Sequence, residues 1–380
     1  MNINIYNLES PYIIATNIWK YHYALSQKKS FPNKPSYNIE FVDGINPNLG
    51  DFSVLHVGFS AIGKLSTDII DRFDVVIIDN NVDHVQVHDE LIYKYITECS
   101  NVYFLVGGFV TEKYTNSNKV LTYPADWIDC IQLYSDPLCF TRYSINITHD
   151  KSGIHFVGGA LRSWRKYLID RLPIGIEVHQ TSDAIAGTKH IIGGTKYDKP
   201  FIDMCNDLYE VEEHTTPSNE LYEHITLGLE HLPAGGARLG YYALPEYEVS
   251  KCVVFPEACF VNHHAFPTEK IWKCVASKTH WIMFSGSESY SILGKYGIRS
   301  ILELTPDGMD FDSIDDHQVR FDKQLNAIQY LVDNPSIFDS DDAMCILNSN
   351  YESFYNNHNI IRQMSDSIDG IIMESLSTDK

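Results

Sequence analysis

The sequence has little positive charge and no long apolar run. Its 29 lysines and arginines are outnumbered by 50 aspartates and glutamates, which gives a net charge of −21. This balance argues against broad electrostatic adhesion to nucleic acid or to an anionic membrane, while leaving room for a local basic pocket. No apolar stretch approaches about 18 residues, and the first residues lack a basic region followed by an apolar run. We expect a soluble, cytoplasmic protein with no membrane span.

Several well-known site signatures are also missing. The eight cysteines are scattered and form no CxxC pair, so neither a zinc site nor a redox dithiol is indicated. No GxGxxG follows a strand, and no GxxxxGK[ST] occurs, which argues against a dinucleotide fingerprint and a P-loop. The lack of HExxH and GxSxG weakens the metalloprotease and α/β-hydrolase interpretations.

The sequence does have the length and composition of a two-domain globular protein. It has 380 residues, of which 44% are apolar and 12% aromatic. That composition is too rich in aromatic and β-branched residues for a disordered chain. The length suggests two domains, each with its own core.

The first 150 residues alternate between short apolar runs and helical patterns. The predicted strands are INIYNL, YNIEFV, SVLHVG, DVVIIDNN and NVYFLVGG, and the predicted helices are NIWKYHYALSQ, LSTDIIDRF and VHDELIYKYITECS. Such alternation predicts a mainly parallel sheet covered by helices on both faces. Functional side chains of such sheets lie at the carboxyl ends of the strands.

The alternation restarts after a polar segment and continues to a helical tail. Strand patterns GIHFVGG, GIEVHQT, KCVVFPEACF and THWIMFS alternate with helical ones, and two helical patterns end the chain. We predict an N-terminal α/β domain over 1–150, a C-terminal α/β domain over 151–335 and a helical tail over 336–380. Two Rossmann-like domains with a cleft between them fit the GT-B architecture, although periodicity also allows a periplasmic-binding-like fold or a two-domain dehydrogenase.

One strand-to-helix junction of the second domain joins glycines to basic residues. The strand HFVGG ends at Gly158 and Gly159, and the helix that follows carries Arg162, Arg165 and Lys166. Glycines allow close backbone approach to a ligand, helix N–H groups favour an anion, and arginine offers a fork of donors to phosphate. A solvated basic helix face explains the pattern equally well.

A second junction places a lysine at the start of a helix, where the backbone is already electropositive. The strand CVVF is followed by Glu257, and a helix opens at TEK, with Thr268 as a helix cap and Glu269 suited to the helix dipole. Lys270 does not suit that dipole unless an anionic ligand is present. The alternative is a capped surface helix whose lysine points to water. The residues predicted to face the sheet are Ile271, Trp272 and Val275.

These two segments resemble the donor-binding region of the α1,3-fucosyltransferase family, and in particular fucosyltransferase-like proteins of tailed phages and giant viruses. The parallels are TEKIWKC at 268–274, WIMFSG at 281–286 and SYSILGKYGI at 289–298, with GGALRSWRKYLIDRL about a hundred residues earlier. Together they cover roughly 155–330. The chain departs from the family pattern by FPEA at the strand end and by Cys274 after Trp272-Lys273, and 1–150 carries no match.

The resemblance implies roles for the matched residues. It assigns Lys270 and Arg165, with Arg162 third, to the diphosphate of a nucleotide sugar such as a GDP-fucose-like donor. It places Glu269 at the nucleotide ribose and Glu257 at the sugar, with Thr268 in the same donor-binding segment. It implies a glycosyltransferase, inverting and metal-independent, with no cofactor and with a glycan or other hydroxyl acceptor.

Inverting transfer needs a general base, which we expect from the first domain. Asp79, at the end of DVVIID, is the first candidate, followed by Asp83 and His56. An aspartate there also suits a cap or a turn. His263-His264 could contact phosphate or sugar, but a histidine pair in a loop is more often a solvated surface feature.

No metal site is predicted. Two DxD patterns, Asp310-Phe311-Asp312 and Asp339-Ser340-Asp341, lie in acidic stretches that have the character of solvated loops. The histidine pair lacks a third ligand at metal-site spacing. Tyr241-Tyr242 could stack on a base or sugar or pack in the core, and the glycine-rich 234–240 segment could form a lid.

Three further interpretations stay open beside the glycosyltransferase. One is a non-catalytic nucleotide-sugar or glycan-binding protein of the same fold. Another is a phage enzyme that glycosylates DNA bases, which the net charge disfavours. A third is a small-anion-binding protein of two α/β domains. If the chain is viral, the host cytoplasm is its expected location.

Overall fold

The computed structural model describes residues 2–8, 38–42, 45–47, 52–80, 89–106, 109–110, 118–122, 151–158, 163–180, 247, 249–257, 260, 264–265, 267–356 and 358–378. The chain divides into two compact units. The first comprises Met1–Ala125, Ala234–Gly236 and His358–Lys380, and the second comprises Asp126–Pro233 and Ala237–Asn357.

The first unit is built on a parallel sheet with the order β2-β1-β3-β4-β5-β7. Its strands are β1 Asn2–Leu8, β2 Asn38–Val42, β3 Phe52–Gly58, β4 Val75–Asn80, β5 Val102–Val106 and β7 Val120–Thr122, with a two-residue strand β6 at Phe109–Val110. Its helices are a 3-10 helix at Phe59–Lys64, α1 Thr67–Ile70, α2 Asp89–Glu98 and the final helix α8 His358–Thr378. The first five strands follow the flavodoxin-like order, in which the chain changes direction between β1 and β3.

The core of this unit follows from its uninterrupted apolar strands. Every residue of β3 is buried, as expected for a strand covered on both faces. Helix α8 contacts β4 and β7, and the Ser375 hydroxyl donates to the Asp74 carbonyl at 3.1 Å. The end of the chain therefore packs on the sheet built from its beginning.

The second unit holds a parallel sheet of four strands in the order β9-β8-β10-β12. Its strands are β8 Ser152–Gly158, β9 Glu177–Gln180, β10 Ser250–Pro256 and β12 His280–Phe284, with a two-residue strand β11 at His264–Ala265. Its helices are α3 Ser163–Ile169, α4 Glu269–Ala276, α5 Ser289–Lys295, α6 His317–Asp333 and α7 Asp341–Asn356, with 3-10 helices at Ile301–Leu304 and Pro335–Asp339.

Helix α4 lies deep in this second unit. Ile271, Trp272 and Val275 are all buried, as predicted, and Trp272 stacks on Phe354 of α7 with ring centroids 5.9 Å apart. Helix α4 also contacts β12, so apolar neighbours cover it on two sides. Such packing fixes the position of the helix start, where Thr268 and Lys270 lie.

The predicted fold class, α/β with parallel sheets and a helical C-terminal tail, is confirmed. Of the two helical patterns predicted at the end of the chain, RFDKQLNAIQYLVDN forms most of α6, whereas NSNYESFYNNHNIIRQMSDSIDGIIMESL is divided between α7 and α8. The run RSILEL forms a 3-10 helix at Ile301–Leu304. The predicted helix NIWKYHYALSQ and the glycine-rich 234–240 segment lie outside the described residues. The domain limits at 150 and 335 and the cleft stay predictions.

The helices of the described residues are all too short or too polar to cross a bilayer.

Candidate functional site

The candidate site lies where the second sheet changes its winding direction. The chain leaves β8 for β9 on one side of the sheet and later returns to form β10 and β12 on the other. Ligands of open parallel sheets bind outside the carboxyl ends of the two strands that flank such a switch point. In this unit those strands are β8 and β10. The two junctions singled out in the sequence follow these strands.

Glu257, directly after β10, is hydrogen-bonded to three segments at this edge of the sheet. Its side chain is buried, and its backbone N–H donates to the Phe284 carbonyl at 2.9 Å, which extends the ladder between β10 and β12. Its Oε1 accepts from the Thr268 backbone N–H at 2.9 Å, and its carbonyl accepts from the Arg165 guanidinium at 3.0 Å. One residue therefore bonds to both segments that the resemblance assigns to the diphosphate of a nucleotide sugar.

Arg165 is a buried cation at this edge of the sheet. It lies in α3, is 5% exposed, and its guanidinium carbon is 5.7 Å from the centroid of the Trp164 ring. Burial of a guanidinium costs free energy unless its N–H groups are hydrogen-bonded and its charge is paired with an opposite charge. The Glu257 carbonyl supplies one acceptor. The sequence also allowed a solvated helix face here, and the burial of Arg165 excludes that alternative for this residue.

Thr268 occupies the N-cap position of α4 but does not cap it as predicted. Its backbone is extended, and its side chain makes no cap hydrogen bond. Instead, its Oγ1 accepts from the Lys270 Nζ at 3.0 Å. The Lys270 side chain is half-buried and turned back toward the start of its own helix. The Thr268 hydroxyl therefore accepts from the ammonium and from no helix N–H.

The two ends of α4 differ in their electrostatic environment. At its C-terminal end the Lys151 ammonium, from the residue before β8, donates to the carbonyls of Ser277 and Lys278 at 2.6 and 3.1 Å. A cation there complements the helix dipole. At the N-terminal end, Lys270 adds positive charge to the N–H groups of the first turn. That end suits a ligand with several negative oxygens.

Chemically, the arrangement can hold a polyanion. Arg165, Lys270 and the α4 N-terminus supply donors and positive charge. Glu257 supplies a buried carboxylate that orients the helix start through Thr268. Such a set of donors can stabilise negative charge on a phosphate.

The remaining predicted donor-site residues are only partly described. Glu269 begins α4, and its side chain lies outside the described residues, as do Arg162, His263 and Tyr241-Tyr242. His264 lies in β11 and its side chain is likewise not described.

The candidates for a general base lie in the first unit. Asp79 is in β4 at the carboxyl edge of the sheet, paired with Gly58, the last residue of β3. Its side chain and the whole of Asp83 lie outside the described residues. His56 is fully buried within β3.

The prediction that both DxD patterns are solvated loops was wrong for Asp312. Asp310 is exposed, but Asp312 is buried and accepts from the backbone N–H groups of Tyr290 and Ser291 at 3.1 and 2.7 Å. Burial raises the pKa of the Asp312 carboxyl, while these hydrogen bonds act in the opposite direction. Its physical role is to cap α5.

Residues of the second DxD pattern also have structural roles. Asp339 forms an ion pair with Lys251, whose Nζ lies 2.6 Å from its Oδ1, and Asp341 begins α7. Within the described ranges, no group of three or more histidine, cysteine or acidic side chains could hold a metal ion.

Sequence patterns did not identify several polar residues that shape this unit. Lys151 is the residue before a strand. No local pattern marks it as the cation at the end of α4, because its carbonyl partners lie 126 and 127 residues away. Ser285 follows β12 at the same sheet edge as Glu257. It is buried, and its hydroxyl has no hydrogen-bond partner among the described residues.

The buried cysteines in and near α4 are poor nucleophiles. Cys252 in β10 and Cys274 in α4 are free thiols with no exposure. Burial raises the pKa of both thiols, so the reactive thiolate is disfavoured.

Comparisons with known proteins include a solved structure of low similarity. No protein-family model matches the chain, and no curated protein matches it. A solved structure described as "Crystal Structure of alpha1,3-Fucosyltransferase" aligns with 98% of this chain and 90% of that one, at 12% sequence identity and a TM-score of 0.43.

Proposed function

We propose that the protein is a glycosyltransferase that moves a sugar from a nucleotide-diphosphate sugar to a hydroxyl acceptor. The observation that carries the proposal is the convergence of Arg165 and the Thr268–Lys270 segment on Glu257, at the switch point of the second sheet. A buried guanidinium, a lysine and a helix start at one strand end are suited to a diphosphate.

In the proposed reaction, the bond between the sugar and the diphosphate breaks as the acceptor oxygen attacks. Negative charge grows on the departing nucleoside diphosphate, and Arg165, Lys270 and the first turn of α4 stabilise it. The proposal requires that these groups be held in position before the charge develops, so that little reorganisation is needed. With two cations at the leaving group, the proposal needs no metal.

The finer assignments rest on the fucosyltransferase resemblance. They are a GDP-fucose-like donor, Glu269 at the ribose, Arg162 as a third diphosphate ligand and inversion at the sugar carbon. Asp79 is proposed as the general base that takes the acceptor proton, since it lies at the carboxyl edge of the first sheet. A glycan is the proposed acceptor, and duplex DNA is disfavoured by the net charge of −21.

A donor panel tests the proposal. The protein is incubated with GDP-, UDP- and CMP-sugars. Donor binding is measured by calorimetry, and release of free nucleotide is measured with and without mixed glycan acceptors. We expect release from one donor class, lost in Lys270→Ala and retained in Lys295→Ala, which removes an exposed lysine at the far end of α5. No release and no binding with any donor would reject the proposal.

A binding protein without catalysis is the second candidate, and one contact favours it. The carboxylate that the resemblance assigns to the sugar, Glu257, is buried and accepts from the Thr268 N–H. If that bond persists with ligand present, the Oε1 atom supports the helix start and is not available to the sugar. This candidate predicts nucleotide binding without turnover in the same donor panel.

A further inference from the structure

We infer that Arg320 is a positioning residue for the nucleotide site, acting through Phe260 on both Arg165 and Glu257. The inference rests on the proposed function for its ligand and on the contacts below for its geometry. Arg320 lies in α6, is 63 residues beyond Glu257 in the sequence, and belongs to none of the motifs that identify the site.

Arg320 is buried, and its guanidinium joins two segments of the chain, the 314–317 stretch at the start of its own helix and the connection that contains Phe260. Arg320 is 1% exposed. Its Nη1 donates to the Ile314 carbonyl at 2.6 Å, and its Nη2 donates to the Phe260 carbonyl at 2.8 Å. Nη2 also lies 3.0 Å from the His317 Nδ1. Because arginine has only donors, that ring nitrogen accepts, and the proton of the neutral imidazole is on Nε2.

The segment that Arg320 holds belongs to the candidate site. Phe260 lies three residues after Glu257, in the connection that leads to Thr268. Arg320 contacts Phe260 at two points. It donates to the Phe260 carbonyl, and its guanidinium carbon is 4.6 Å from the centroid of the Phe260 ring. A stacked and hydrogen-bonded guanidinium fixes orientation as well as distance.

Phe260 in turn packs against the supports of both functional residues. It is fully buried, and its ring centroid is 5.6 Å from that of Trp164 and 6.4 Å from that of Phe284. Trp164 precedes Arg165 and lies beneath its guanidinium. The carbonyl of Phe284 accepts from the Glu257 N–H. A shift of Phe260 therefore displaces Trp164 and Phe284, the residues that contact Arg165 and Glu257.

The chemistry at this position requires a guanidinium. The acceptors are two backbone carbonyls and one ring nitrogen, which lie in different directions around Arg320. A planar fork with five N–H donors meets all three at once. Lysine could reach one or two of them but would not stack on Phe260 in the same plane, and an apolar residue would leave the carbonyls without these donors.

The test compares Arg320→Met and Arg320→Lys with Gln324→Leu. Gln324 is the matched control, because it lies one turn further along α6, is buried, and also donates to a backbone carbonyl, that of Met283, at 3.1 Å. Two quantities are measured in each variant. They are hydrogen exchange of peptides containing Glu257, Phe260 and Thr268, and the affinity for GDP and UDP by calorimetry.

We expect Arg320→Met to speed exchange at Glu257, Phe260 and Thr268 and to weaken nucleotide binding by about tenfold or more. Arg320→Lys should give intermediate values, and it decides the question if the methionine variant does not fold. Gln324→Leu should lower the melting temperature while leaving exchange at these peptides and nucleotide affinity within about twofold of wild type.

Equal effects of the Arg320 and Gln324 variants on both readouts would overturn the positioning role, since both would then act only on stability. Unchanged exchange at Glu257 in Arg320→Met would overturn it as well. If the wild-type protein binds no nucleotide, the proposed function fails, and the exchange comparison alone decides whether Arg320 organises this edge of the sheet.

Discussion

The Arg165 guanidinium donates to the backbone carbonyl of Glu257 at 3.0 Å, across 92 residues of sequence. This bond joins α3, the helix after β8, to the carboxyl end of β10. The strands β8 and β10 flank the switch point. From Glu257 the connection continues to the start of α4, through the Thr268 N–H. The relationship makes Glu257 the residue on which the site depends most.

Replacement of Glu257 separates its hydrogen bond from its charge. Glu257→Ala removes the acceptor of a buried backbone N–H, and we expect it to lower the free energy of unfolding by about 1–3 kcal/mol. Glu257→Gln retains a carbonyl oxygen for Thr268 and should lose less than half as much. Urea unfolding of the two variants measures the difference. Equal losses in both would show that the Thr268 bond contributes little.

Loss of the cation at the C-terminal end of α4 should destabilise the second unit. Lys151→Met removes the donors to the Ser277 and Lys278 carbonyls, and we expect a loss of about 1.5–3 kcal/mol, as for hydrogen bonds to a charged group. Thermal unfolding measures it, with Lys166→Met as the control, since that lysine is half-buried in α3. A melting temperature equal to that of the control would contradict the capping role.

His280 should make stability depend on pH. Burial first, and Lys151 second, lower the pKa of His280 from 6.5 to about 3 in the folded protein. The unfolded chain therefore takes up this proton at higher pH than the folded one. Stability should be fully present above about pH 6.5 and fall toward pH 3, with a slope of up to about 1.4 kcal/mol per pH unit.

The measurement for His280 is the urea midpoint between pH 7 and 4 in wild type and His280→Leu. The variant has no proton to take up at this position, so its pH dependence should be shallower than that of wild type. Parallel curves would show that His280 is not the group responsible.

The two aspartates of the first DxD pattern should differ sharply when removed. Asp312→Ala deprives the backbone N–H groups of Tyr290 and Ser291 of their acceptor, and we expect a loss of about 1–3 kcal/mol. Asp310→Ala, at an exposed position two residues earlier, should change stability by less than about 0.5 kcal/mol. A metal site at this pattern would instead make wild type more stable in added divalent cations and would remove that response in both variants.

Local patterns predicted the elements of the fold, because their signals lie within a few residues. The apolar run of β10 and the apolar face of α4 are both visible in the sequence, and Ile271, Trp272 and Val275 are buried as expected. The resemblance then selected Arg165 and the Thr268–Lys270 segment, which the structure brings to one sheet edge.

The contacts that organise the site could not be predicted, because they cross large sequence distances. Arg165 reaches Glu257 only when β8 and β10 are neighbours, and Arg320 reaches Phe260 across 60 residues. Asp312 lies in an acidic stretch typical of a solvated loop, yet its burial is set by α5, about 20 residues earlier. Thr268 is a local exception: it has the right type and position for a cap, but its hydroxyl accepts from Lys270 and makes no cap hydrogen bond.

Calorimetric titration with GDP and UDP decides whether the second unit has a diphosphate site, when wild type, Lys270→Ala, Arg165→Met and the control Lys295→Ala are compared. We expect one nucleotide to bind wild type and the control alike. Loss of a charge-assisted hydrogen bond should weaken binding about 10- to 100-fold in Lys270→Ala and at least as much in Arg165→Met. Equal affinity in all four proteins, or no binding of either nucleotide to wild type, would contradict the diphosphate site.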